Sequence, residues 1–119
     1  MSEGASQREW LFSINDMIGF CERILAFTQE TDRTEFPADA MRYDATVRNI
    51  ELVGEAATHV PDSVRRNHPE TPWRMMIATR NQLIHGYVGI DDDVLWSIVQ
   101  TDILTLLANL RPLKTPEPD

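Results

Sequence analysis

A chain of 119 residues is long enough to bury one core and too short for two ordinary domains, and pairing with a second copy would help so small a helical unit. A formal net charge of −8 excludes a protein that coats nucleic acid by bulk attraction. The single cysteine, Cys21, excludes an intrachain disulfide and a multi-cysteine zinc site; no apolar run approaches a membrane span, and the start of the chain lacks a charged-then-apolar leader, so a cytoplasmic protein with no membrane contact is expected.

Residues 1–6 read as a frayed end. A first helix is predicted over Gln7 to Thr28, where Trp10, Ile14, Met17, Cys21, Ile24 and Thr28 recur at three and four, with Phe12, Ile18 and Leu25 widening the apolar stripe. Thr31 to Pro37 is a polar connection whose proline suits the first turn of the next helix. That second helix is predicted over Pro37 to Val60. Tyr43, Val47, Ile50, Gly54 and Ala57 follow one line with Leu52, Val53 and Ala56 beside it, so the helix is broadly apolar and central. A glycine inside a helix costs about 1 kcal/mol relative to alanine, so Gly54 predicts a close helix crossing. Glu51 and Glu55 are like charges four apart; a solvated face is the ordinary account, with Arg80 or Arg48 as the alternative partner.

Pro61-Asp62-Ser63 stops and restarts the chain, a short basic turn runs through Asn67, and Pro69 breaks it again. Thr71-Pro72-Trp73 supplies a predicted N-cap, a proline at the first helical position and an aromatic anchor for a third helix. Its apolar side is Trp73, Met76, Ile77, Ile84 and Tyr87. After a link through Val88-Gly89-Ile90, Asp91-Asp92-Asp93 are read as cap and first-turn carboxylates of a fourth helix, and not as a metal site. Leu95, Ile98, Val99, Asp102, Ile103, Leu106 and Leu110 form its inner face, Pro112 ends it, and a flexible tail follows over residues 112–119. The expectation is one all-α domain over residues 1–119, a four-to-five-helix up-down bundle with its ordered core at about residues 7–111.

Chemistry concentrates at the end of the third helix, in Arg80-Asn81-Gln82-Leu83-Ile84-His85-Gly86-Tyr87. Arginine keeps its charge and suits phosphate, histidine moves a proton near neutral pH, and together they can do acid/base chemistry on a phosphodiester. Gly86 frees the backbone so that the helix can end with the His and Tyr side chains at a rim. Asn81 and His85 share a face, so the Asn amide could orient the ring, whereas Arg80 and His85 diverge by roughly 140° on a straight helix. Either the helix unwinds before His85, or two copies of the chain contribute to one cleft; the second is favoured. The ordinary alternative has Arg80 paired with a surface carboxylate and His85 capping the helix. Residues 61–90 hold Arg65, Arg66, Arg74 and Arg80 against Asp62 and Glu70, so a basic segment sits in an acidic chain; this suits local engagement of a phosphate, and ordinary solvation of four arginines accounts for it equally well.

Three segments in order, Arg48-Asn49-Ile50-Glu51-Leu52-Val53-Gly54-Glu55-Ala56-Ala57, Pro72-Trp73-Arg74 and the Arg80 to Tyr87 motif continued by Gly89-Ile90-Asp91, carry a resemblance that covers the chain from the first helix to Leu110. It resembles the HepT-like branch of the HEPN superfamily, ribonuclease toxins paired with minimal nucleotidyltransferase antitoxins in type VII-like systems. The resemblance implies a homodimeric HEPN-like bundle and a metal-independent endoribonuclease that needs no cofactor and cleaves RNA through the 2′-hydroxyl. Arg80 and His85 would be catalytic, Asn81 supporting, and Tyr87 the tyrosine that the cognate nucleotidyltransferase AMPylates. A catalytically quiet helical partner, or a nucleotide-binding regulator of a nucleotidyltransferase, is the alternative.

Overall fold

The computed structural model describes residues 3–85 and 90–114, with side-chain burial from residue 8 onward. Among these residues there is no strand. Helix α1 (Glu3–Thr28) leads through a 3-10 turn (Phe36–Ala38) to α2 (Ala40–Thr58), the short α3 (Asp62–Asn67), α4 (Trp73–Ile84) and α5 (Asp92–Ser97), which passes through a π-helical turn (Ile98–Asp102) into α6 (Ile103–Lys114). The helices pack in the spatial order α6, α1, α2, α4, so α2 lies between α1 and α4. This is the all-α bundle predicted, and no helix among the described residues is long and apolar enough to cross a membrane.

The core forms where the apolar stripes meet. Ile14, Met17, Ile18, Cys21 and Ile24 of α1 face Ile50, Val53 and Ala57 of α2, with Ile103, Leu106, Leu107 and Leu110 of α6 closing the other side. Burial pushes the Cys21 thiol up to about 12, with the Glu22 charge adding to the shift and Arg111 opposing it. Phe12, assigned to the stripe by its spacing, is 62 % exposed, because the stripe is narrower at this end of α1 than the periodicity implied.

Boundaries differ from the sequence reading where local chemistry allowed two solutions. Helix α1 starts at Glu3, ahead of the predicted Gln7. Pro37 forms part of the separate 3-10 turn, and α2 is capped by Asp39, whose carboxylate accepts the Arg42 amide at 3.1 Å. Pro112 does not end α6, which continues to Lys114; so near a C-terminus the proline breaks only one turn of the hydrogen-bond ladder. Asp91 caps α5 as predicted, accepting the Val94 amide at 2.9 Å, and Asp93 pairs with Arg33 at 2.6 Å. Thr71 does not cap α4. Pro72 occupies the cap position, no side chain serves it, and the Thr71 hydroxyl is buried without a partner. Trp73 anchors α4, buried and donating its indole N–H to the His68 carbonyl at 3.0 Å.

Candidate active site

Gly54 brings α2 and α4 together. A Cβ placed there would stand 2.3 Å from the Arg80 Cβ and 2.6 Å from the Met76 carbonyl oxygen, so only glycine permits this crossing. The predicted close approach therefore falls on Arg80 itself. Its guanidinium then meets the next residue of α2: Arg80 Nη2 donates to Glu55 Oε1 at 2.5 Å, and Arg80 Nη1 donates to the side-chain oxygen of Asn81 at 2.7 Å. The second carboxylate oxygen of Glu55 lies 3.4 Å from His59 Nε2, one turn further along α2. Of the two partners offered by the sequence for the Glu51 and Glu55 pair, Arg80 is the one that Glu55 takes.

His85 stands at the C-cap of α4 with helical backbone angles, so the helix does not unwind before it. Its Nδ1 lies 2.7 Å from the main-chain carbonyl oxygen of Asn81. A carbonyl oxygen only accepts, so Nδ1 carries the proton of that bond and Nε2 becomes the nitrogen on which a proton is gained or lost. The side-chain amide of Asn81, expected to orient the imidazole, is turned to Arg80 instead. Asn81 nevertheless links the two motif residues, through its side chain to one and its main chain to the other. One face of α4 holds Arg74, Ala78, Asn81 and His85, all exposed and at multiples of nearly whole turns. Arg80 points away from that line, with 26 % of its side chain exposed.

Arg80, Asn81 and His85 are thus joined in one hydrogen-bonded chain, in which Arg80 is paired with a carboxylate and His85 sits at the helix end, as the ordinary alternative had it. The arrangement retains chemical capacity: a guanidinium has five N–H donors, and two are engaged here. Tyr87 and Gly86 lie outside the described residues. Among the described residues no group of three or more His, Cys, Asp or Glu side chains is placed to hold a metal ion. Sequence reasoning missed His59 altogether and ranked Arg80 behind solvent as the partner of Glu55. The signal was Gly54, since the residue following a close crossing is brought to the neighbouring helix.

Residues 17–113 match the family described as ribonuclease HepT-like. A probable ribonuclease HepT from Thermococcus cleftensis is 38 % identical over 109 residues, covering 92 % of this chain and 96 % of the relative. A putative RNase from Methanocaldococcus jannaschii is 35 % identical over 98 residues, covering 82 % and 90 %. Another putative RNase, from Caldanaerobacter subterraneus, is 27 % identical over 97 residues, covering 82 % and 87 %. No solved structure matches the chain. With the match spanning every helix that packs around Gly54 and the Arg80 to His85 turn, the chain belongs to the HepT-like ribonuclease family.

Proposed function

We propose that the chain is an endoribonuclease that cleaves RNA without a metal ion, using Arg80 and His85 with Asn81 as support. The observation that carries this reading is the bonded chain from Glu55 through Arg80 and Asn81 to His85, which fixes a cation and a proton-carrying ring on the same helix end. The nucleophile is part of the substrate. The 2′-hydroxyl loses its proton as its oxygen attacks phosphorus, the bond from phosphorus to the 5′-oxygen breaks, and that oxygen takes up a proton. His85 serves one of the two proton transfers, and Arg80 offsets charge gathering on the phosphoryl oxygens. DNA lacks the attacking hydroxyl and is not cut.

The site is composite in this reading, with Arg80 of one copy and His85 of another converging across a homodimer axis. Ile84, 49 % exposed beside His85, supports an interface at this end of α4. The protein acts as the toxin of a type VII-like pair in the cytoplasm. Its partner, a minimal nucleotidyltransferase, silences it by moving AMP from ATP to the phenol oxygen of Tyr87 with release of pyrophosphate. The added phosphate would compete for Arg80 and exclude RNA. The test is purified protein on single-stranded RNA in EDTA, with mass spectrometry of the products. A cyclic phosphate end supports the reading; cleavage only with added magnesium, leaving a 3′-hydroxyl, overturns it.

The pairing of Arg80 with Glu55 favours one other reading, a catalytically quiet partner that engages a nucleotidyltransferase. Absence of RNA cleavage together with a stable complex with that enzyme would decide for it. Incubation with the nucleotidyltransferase, ATP and magnesium tests the switch: mass gained in AMP steps and lost in Tyr87→Phe supports it, whereas full inhibition of an unmodified chain points to inhibition by binding.

A further inference from the structure

A second basic site lies at the opposite end of α4. Arg65 and Arg66 of α3 and Arg74 of α4 line a cavity of about 470 Å³, with Asp62 as the one carboxylate among its lining residues. Asp62 is committed to Arg66 at 3.4 Å, which leaves the cavity a surplus of two positive charges. Two further observations mark it as a place for an anion. Thr71 lines the cavity, is 2 % exposed, and has a hydroxyl with no hydrogen-bond partner, and the buried Nε of Arg65 has none either. The twelve-residue α4 begins here with no side-chain cap, and Trp73, Arg74 and Met75 of its first turn line the same cavity. The Trp73 amide is taken by the Thr71 carbonyl at 2.8 Å, but the Arg74 and Met75 amides that follow it and the positive end of the helix dipole both favour bound negative charge.

We propose that this cavity holds an internal phosphate of the RNA strand whose scissile phosphate lies at Arg80 and His85. The inference rests on the ribonuclease reading above. Arg74 and His85 are eleven residues apart, which brings them to the same face of α4 at an axial separation of about 16 Å. Exposed Ala78 and Asn81 lie between them on that face. A few nucleotides of single strand span such a distance. In an acidic protein this explains how RNA is held: two local phosphate grips replace a general basic surface.

The experiment compares the full chain with an Arg65→Ala/Arg74→Ala double variant on a short single-stranded RNA over a range of salt. The expected result is a KM raised about tenfold with kcat unchanged, because neither residue touches the reacting atoms. Loss of the one phosphate contact should flatten the logarithmic salt dependence of binding by about 0.7. Arg65→Lys/Arg74→Lys, which keeps the charges, should retain most of that slope and controls for a misfolded alanine variant. Binding is measured separately on the His85→Ala chain with an all-deoxy strand, by fluorescence anisotropy. If the protein cuts no RNA but the strand still responds to the cavity variants, the ribonuclease reading fails and the phosphate site stands. Unchanged KM and slope overturn the proposal, as does a loss confined to kcat. AMP or inorganic phosphate binding as tightly as the strand would also overturn it, assigning the cavity to a small phosphate compound.

Discussion

Arg80 does two jobs whose costs separate. Its stem packs under Gly54, and its head pairs with a half-exposed carboxylate, an ion pair of the kind worth about 0–1 kcal/mol in water. Arg80→Ala keeps the Cβ that fills the crossing, so unfolding monitored by circular dichroism should shift little while RNA cleavage is lost. His85→Ala should behave likewise, since the ring is exposed; a large fall in melting temperature would mean that it serves the helix end and not the substrate. Glu55→Gln removes the charge that aims the guanidinium yet leaves an oxygen to accept from it. The expected outcome is a kcat lowered on the order of tenfold with KM not raised, read from steady-state cleavage. A rise in kcat would instead show that Glu55 restrains Arg80. The motif residues could be read from the sequence because each carries distinctive chemistry at short spacing. Glu55 was legible only as an alternative to solvent, and His59 not at all, because their relation to the motif is made by a helix crossing 25 residues away in sequence.

Periodicity identified each long helix, because three-and-four spacing of apolar residues is a direct consequence of helical geometry. What it located poorly were the ends and the margins of the buried faces: Thr71 and Pro72 both suit a helix start, and exposed Phe12 and Ile84 sit at the correct spacing yet beyond the reach of a neighbour. Gly54 was legible because glycine in a helix needs a reason, though its opposing residue was not. Gly54→Ala gains about 1 kcal/mol of helix propensity but forces α2 and α4 apart against backbone and Cβ atoms, a strain of about 1–3 kcal/mol or more. The melting temperature should fall, and cleavage should fall with it as Arg80 moves; an unchanged or higher melting temperature would show that the crossing is looser than the contacts imply.

At the scale of the molecule, two buried or half-buried titrating groups set how the fold responds to its medium. Cys21 is fully buried and its thiol is pushed up to about 12, so almost no thiolate exists at pH 8. Iodoacetamide should leave the native protein unmodified and label it once unfolded, a difference of one adduct by mass. Burial also raises the Asp102 carboxyl above its ordinary value of 3.8. The folded state then binds the proton more tightly than the unfolded state, so stability declines as pH rises from 3.8 through the higher folded value. Asp102→Asn should remove that decline and melt slightly higher at neutral pH. Light scattering addresses assembly: the composite cleft requires a dimer at micromolar concentration, and an active monomer would eliminate it.

The helix α4 carries His85 at one end and Arg74 at the other, with the Gly54 contact clamped on Arg80 between them. This makes it intolerant of a change in length. Inserting or deleting one residue between Arg80 and His85 would alter no side chain, yet it would swing the imidazole by about 100° and shift it by about 1.5 Å against a fixed Arg80. Insertions within α4 should therefore be silenced in cleavage assays even where the protein folds, while residues added to the connection from Thr31 to Glu35 should disturb only local contacts such as the Arg33–Asp93 pair and leave cleavage intact.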